Sequence, residues 1–232
     1  MNLFLIIKED FVNVKRNDPA LHSSFELFFN YPGLWALLFY RFANFLYRKG
    51  LRFIPRFISG MGQFLTGVDI HPASTIGRRV FIDHGIGVVI GETAEIGDDV
   101  LIYQQVTLGG VSLSHGKRHP TIKSNVVIGA GAKVLGNITI GEHSRVGANS
   151  VVLKDVPPHS TAVGIPAKIL NCDTEKRKLR HDMLPDVNRA MFEYMVKRIE
   201  ILEKSIKSGN TSIIDKEDME LEKIYADFIK SI

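Results

Sequence analysis

The sequence predicts a mainly β chain with helical ends: a parallel β-helix of hexapeptide repeats, wound as a triangular prism, after an α-helical segment and before a helical tail. Three observations predict it. An aliphatic residue recurs every six positions at Ile70, Ile76 and Ile82, then Ile90, Ile96, Ile102 and Leu108, then Ile122, Ile128, Val134, Ile140, Val146 and Val152. Glycine follows it at Gly77, Gly91, Gly97, Gly109, Gly129, Gly141 and Gly147. Four positions after it stands a small or β-branched residue, as at Ala94, Val100, Val106, Val126, Ala132, Ile138, Ser144 and Ser150.

A period of six fits neither a helix, at about 3.6, nor an alternating strand, at about 2. It fits a coil with three flat sides, each a short strand and a turn, with one aliphatic side chain per side pointing to the axis. Stacked coils pair each strand with those above and below and bury a continuous apolar column. The glycine is expected to take the turn at positive φ.

Residues 1–66 form the helical N-terminal segment. Asp18-Pro19 reads as a helix start, with Asp at the cap and Pro in the first turn. Trp35, Phe39, Phe42 and Leu46 then recur at three- and four-residue steps, interrupted by Arg41, Arg48 and Arg52. This amphipathic pattern packs on the rest of the chain or on a partner subunit, with a membrane surface as the competing reading.

Residues 67–170 form the prism, and two irregularities mark where its chemistry sits. Between Ile82 and Ile90 the phase slips by two residues around Asp83-His84-Gly85. Between Leu108 and Ile122 there are fourteen positions where six would continue the coil, so residues 110–120 leave as a loop carrying His115, Lys117, Arg118 and His119. Solenoids extrude loops where function sits. Residues 171–232 return to charged helical sequence, with an apolar stripe of Val187, Met191, Met195, Ile199, Leu202 and Ile206. Ser208-Gly209-Asn210-Thr211 breaks it, and Leu221, Ile224, Phe228 and Ile232 suggest a second short helix. Such helices cap the solenoid or contact neighbours.

Composition bounds the function. With 232 residues, 45% hydrophobic and 23% charged, the chain is an ordinary globular protein with room for a core. Its one cysteine, Cys172, excludes an intramolecular disulfide framework. The uncharged run Leu27–Tyr40 has 14 residues, too few to span a bilayer. Met1–Ile7 meets Lys8, Glu9 and Asp10 without a basic leader or a small-residue cleavage site, so no signal peptide and a cytoplasmic location are expected. The net charge of +4 suits a polyanionic ligand, but the basic residues are scattered and no zinc-finger spacing accompanies them, so nucleic acid is not expected.

Asp69 and His84 are fifteen residues apart, a little under one coil, so they can be neighbours on adjacent coils at one edge. A carboxylate on one ring nitrogen leaves the other free as a base near neutral pH. A histidine that merely satisfies a turn is the competing account. Arg118 in the loop is either solvated or a bidentate clamp for a carboxylate. His84, His115 and His119 are the histidines that zinc would need, without a Cys or a close-spaced His pair beside them.

Val68-Asp69-Ile70-His71-Pro72, Ile82-Asp83-His84-Gly85, Gly91-Glu92-Thr93-Ala94, Val106-Thr107-Leu108-Gly109-Gly110 and Lys117-Arg118-His119-Pro120 resemble the bacterial serine O-acetyltransferase family. So do Ile128–Gly136, Val163-Gly164-Ile165-Pro166-Ala167-Lys168 and Asn17-Asp18-Pro19-Ala20, and the resemblance covers about residues 17–170. The repeat is shared by many acyltransferases; Asp18-Pro19, Asp83-His84 and Arg118-His119 together are the diagnostic set. The resemblance implies a left-handed parallel β-helix and transfer of acetyl from acetyl-CoA, as co-substrate, to the L-serine hydroxyl, without metal or covalent intermediate, for cysteine biosynthesis. It implies His84 as general base, oriented by Asp69; Asp18 and Asp83 holding the serine ammonium; and Arg118 clamping its carboxylate with His119 beside it. Gly109 and Gly110 would serve the oxyanion, and Gly110, Ala130, Arg145 and Lys168 would lie along coenzyme A.

The resemblance further implies a homotrimer with sites between neighbouring subunits, a hexamer being left open by the short helical segment. It implies inhibition by cysteine, and docking of O-acetylserine sulfhydrylase on a C-terminal isoleucine, here Ile232, for which membership of the local apolar stripe is the competing account. Alternatives are a hexapeptide acetyltransferase acting on a sugar or other hydroxyl, a zinc-dependent hydration enzyme on the same fold, and a scaffold whose tail binds a sulfhydrylase.

Overall fold

A computed structural model describes residues 3–113, 115–171 and 187–208. The second helix suggested near Leu221–Ile232, and Ile232 itself, lie outside the described residues. Three helices come first: α1 (Leu3–Asn17), α2 (Pro32–Arg48) and α3 (Phe53–Thr66), with a 3-10 turn at Ser24–Phe28. Among the described residues fifteen short strands follow, from β1 (Asp69–Ile70) to β15 (Ala167–Asn171), and then α4 (Val187–Ser208).

The strands form three sheets, which are the faces of a left-handed prism. The first face is β1 (Asp69–Ile70), β4 (Val89–Ile90), β7 (Thr107–Gly109), β10 (Lys133–Leu135) and β13 (Val151–Val152). The second is β2 (Thr75–Ile76), β5 (Glu95–Ile96), β8 (Thr121–Ile122) and β11 (Thr139–Ile140). The third is β3 (Phe81–Ile82), β6 (Leu101–Ile102), β9 (Val127–Ile128), β12 (Arg145–Val146), β14 (Ser160–Gly164) and β15. All pairings are parallel except β14 with β15, a closing hairpin. The six-residue aliphatic positions fill the axis, with Ile102, Leu108, Ile128, Val134 and Ile140 wholly buried. The phase slip makes the first coil 20 residues in register (Asp69↔Val89), and the loop stretches Thr107↔Lys133 to 26.

The glycines of the repeat do not supply the left-handed turns that the sequence leads one to expect. Positive φ falls two residues later, on Arg79, Asp99, Gly131, His143 and Asn149. The repeat glycine is instead required by close stacking. A Cβ on Gly97 would stand 2.7 Å from Ser124 N, and one on Gly141 2.4 Å from Pro158 N.

The helices close the N-terminal end of the prism. A first rung has backbone groups with no rung beneath them. Tyr40 Oη donates to Ser74 O (2.8 Å) and accepts from Ile76 N (3.1 Å). Arg41 donates to Ile76 O and Gly77 O (2.7 Å each), and its other side meets Asp10 of α1 at 3.0 Å. Asn44 and Ser59 cap Pro72 O and Ile70 O. This demand rotates α2 from the expected face: Leu34, Leu37, Tyr40 and Arg41 are buried, whereas Phe42 is exposed. Nor does Asp18-Pro19 start a helix. It ends α1, since the residue before proline is pushed out of the helical region.

Candidate active site

Two edges bound the first face. At its leading edge the chain arrives from the third face; at its trailing edge it departs to the second.

The phase slip lies at the leading edge. Asp83 N donates to Ile102 O (2.8 Å), and successive tight bonds, Gly85 N to Asp83 O and Ile86 N to His84 O, turn the chain sharply. His84 takes φ 57°, as other corner residues do, and its ring is 74% exposed. The start of α2 presses directly on this turn: a Cβ on Gly33 would meet Ile82 O at 2.1 Å, and one on Gly85 would meet Gly33 N at 3.1 Å. That approach carries Tyr31 and, through it, Asp18 to the edge. Tyr31 Oη donates to Asp18 Oδ2 at 2.5 Å, and Asp18 Oδ1 accepts from Ala20 N at 2.8 Å. Asp83 is half-buried; desolvation holds its pKa above the ordinary carboxylate value, with the charge of Asp18 adding to the rise. Burial and the bond to Asp18 push the Tyr31 phenol well above its usual range. Two carboxylates and an imidazole thus share one corner.

Asp69 begins β1 at this same edge, beneath the turn, which packs on Val68 and bonds through Gly87 N to Gly67 O. Sequence spacing anticipates that neighbourhood. Among the described residues no hydrogen bond joins Asp69 to His84, and the carboxylate within ion-pair reach of the ring is that of Asp83, with Oδ1 4.0 Å from Nε2. The amide oxygen of Gln104, one rung above, is buried without a hydrogen-bond partner among the described residues. Ala130 lies higher on this edge, and Arg145 and Lys168 stand on the third face, in β12 and β15.

The trailing edge holds the remaining expected residues. The extruded loop leaves after Gly109-Gly110 and returns through Lys117, Arg118 and His119. Thr93 anchors its return: Oγ1 accepts from Arg118 N (3.0 Å) and His119 N (3.1 Å) and lies 2.9 Å from His119 Nδ1. Thr93 N also donates to that nitrogen, at 3.2 Å. The His119 ring covers Gly91 so closely that any side chain there would collide with it. Burial, then the Arg118 charge, hold the His119 pKa below the ordinary histidine value. Arg118 pairs with Glu92 at 2.5 Å, which lowers the Glu92 pKa, and Lys117 pairs with Glu95 at 3.1 Å. An open cleft of ≈ 380 Å³ lies under the loop.

One chain therefore does not gather the expected residues. His84, Asp83, Asp18 and Asp69 line the leading edge, while Arg118, His119, Gly109 and Gly110 line the trailing one, across the width of the first face. The same separation parts His84 from His115 and His119. Among the described residues no three His, Cys, Asp or Glu side chains are grouped to hold a metal ion. Tyr31, Thr93 and Glu92 were not anticipated as site residues. The sequence signal for Thr93 and Glu92 was the motif Gly91-Glu92-Thr93-Ala94; Tyr31 had none.

Comparison with known proteins points one way. The bacterial transferase hexapeptide (six repeats) family matches residues 119–154. A serine acetyltransferase of Bacillus pumilus is 50% identical over 207 residues, 88% of this chain and 95% of that one. The soybean serine acetyltransferase complexed with serine superposes with a TM-score of 0.70 at 45% identity, over 72% of this chain and 69% of that one. A serine acetyltransferase in complex with CoA gives 0.68 at 39% identity, over 72% and 70%.

Proposed function

The chain belongs to the serine acetyltransferase family, and we propose that it works at a site shared between two copies, the leading edge of one closed by the trailing edge of the next. The enzyme transfers acetyl from acetyl-CoA to the serine hydroxyl, giving O-acetyl-L-serine and CoA. The observation that carries the shared site is the separation of its two halves onto the two edges of one face.

Serine is a zwitterion, so its site needs anionic and cationic partners together. Asp18 and Asp83 are the anionic pair for the ammonium, and desolvation at that corner strengthens each interaction. Arg118 from the neighbouring copy receives the carboxylate, for which its planar fork is suited. His84 takes the serine hydroxyl proton as the oxygen attacks the thioester carbonyl. The tetrahedral oxyanion collapses, the C–S bond breaks, and the imidazolium returns the proton to the CoA thiolate. Asp69 is assigned the orientation of His84 by family resemblance and by its place on the same edge. Backbone N–H groups near Gly109 and Gly110, brought by the neighbour, suit the oxyanion because glycine permits close approach. Ala130, Arg145 and Lys168 border the groove where CoA would run, and the two basic groups suit its phosphates.

A head-to-tail contact that repeats must close as a ring or run on as a filament. Copies turned about an axis parallel to the prism meet edge to edge with the first face inward, and a triangular cross-section favours three. Phe64, Leu65 and Ile86 beside the leading edge are 83%, 62% and 65% exposed, which supports a neighbour covering that corner. A cytoplasmic location belongs to the same reading, supported by the lone cysteine and by the use of acetyl-CoA.

A thiol-release assay with acetyl-CoA and serine, homoserine or simple sugars tests the acceptor. Serine alone should release CoA well above background, and His84→Ala should cut turnover roughly 10²–10⁴-fold. Release with a sugar and not with serine would overturn the reading.

A further inference from the structure

The helix α4 takes no part in the chemistry above, yet its pattern is specific. Phe192, Met195, Ile199, Leu202 and Ile206 follow one another at alternating steps of three and four, the a and d positions of a heptad. All five are exposed, from 40% at Leu202 to 80% at Ile206. Ile201, on another side of the helix, is buried. The heptad seam is thus a second, separate apolar face.

Its flanks carry a direction. With Phe192, Ile199 and Ile206 at a, Arg198 falls at g and Glu203 at e. In a parallel, in-register coil the g residue of one helix faces the e residue five positions on in its neighbour, so Arg198 meets Glu203. An antiparallel pairing sets g against g and e against e, like charge on like. Within one helix the two residues lie on opposite sides of the seam, so the complementarity is between copies. Glu203 also pairs with Lys207 of its own helix, at 3.5 Å.

We propose that the α4 helices of three copies of this chain associate in parallel as a three-stranded coiled coil. The inference rests on the shared-site reading: rotation about one axis sends every α4 the same way along it and supplies three strands. By itself, Ile at a with Leu at d would suit two. A seam of five core positions, from Phe192 to Ile206, is too short to assemble strongly alone. Attached to a ring of prisms it works at a high effective concentration.

Full-length chain with Cys172→Ser and either Leu202→Cys or Lys204→Cys, oxidised mildly, tests the seam. Leu202→Cys should link most chains into disulfide pairs, and Lys204→Cys, on the outer side, should not. Ile199→Glu with Leu202→Glu should raise the concentration at which the assembly dissociates by about tenfold, with serine turnover per assembled site unchanged. Arg198→Glu should weaken the assembly, and adding Glu203→Arg should restore it, because the pair reverses across the seam. A trimeric, active protein in which Leu202→Cys links no better than Lys204→Cys overturns the coil and leaves the shared site standing. A dimer overturns the strand number. A fully active monomer overturns both.

Discussion

Thr93 Oγ1 accepts from two backbone amides, so its own proton is directed to His119 Nδ1, which also accepts from Thr93 N. A ring nitrogen that accepts twice carries no hydrogen, so His119 is the neutral tautomer with its proton on Nε2, a donor suited to a carboxylate or a carbonyl oxygen. Burial and Arg118 depress its pKa, which keeps it so at neutral pH. A depressed histidine pKa means that the folded site is fully supported above the unfolded value of about 6.5 and loses that support as pH falls through the lower folded value. As His119 protonates, the KM for serine should rise on acidification, at a pH beneath the ordinary histidine value, and Thr93→Val should move this rise to higher pH. An unchanged profile in Thr93→Val would remove the role given to Thr93. At the other edge, Tyr31 holds one oxygen of Asp18 and a backbone amide holds the other, so the carboxylate is fixed in advance for the ammonium contact proposed for it. Tyr31→Phe should raise the KM for serine several-fold, on the order of a 1 kcal/mol hydrogen bond, with kcat and the KM for acetyl-CoA little changed. A drop in kcat alone would contradict that positioning role.

The prism's elements were legible in the sequence because a six-residue period has one structural solution, and both the slip and the loop could be counted. The helices were less so. Proline at position 19 reads equally as a start or a stop, and here it is a stop. Arg41 looks like a polar break in an apolar face until the unpaired carbonyls of Ile76 and Gly77 are known. The repeat glycines were recognised for the wrong reason, since close stacking cannot be seen along one strand. Arg41 and Asp10 are both buried, and desolvation holds the Asp10 pKa up despite the pairing. Truncating the arginine would strand that carboxylate and two carbonyls. Arg41→Ala should cost about 3–5 kcal/mol in urea unfolding. A loss under 1 kcal/mol would show that the cap is not what closes the prism.

In the whole molecule, the column of aliphatic side chains is scaffolding, and the candidate site residues sit on its edges. The leading-edge carboxylates and imidazole and the loop residues stand out in the sequence, while an adjacent chain as the source of the loop residues is expected on family resemblance alone. What only three dimensions show is the separation: fifteen residues from Asp69 to His84 return the chain to one edge, whereas the loop departs from the next edge of the same face. A single prism keeps its two edges apart, and the proposed site shared between copies answers that separation.

Coexpressing His84→Ala with Arg118→Ala measures this directly. Each variant alone should be nearly inactive. Mixed rings with random composition should recover about a quarter of wild-type activity, because an intact His84 edge then meets an intact Arg118 edge at one contact in four. A mixture no more active than its two components would mean that both residues act from one chain, and the shared site would be wrong.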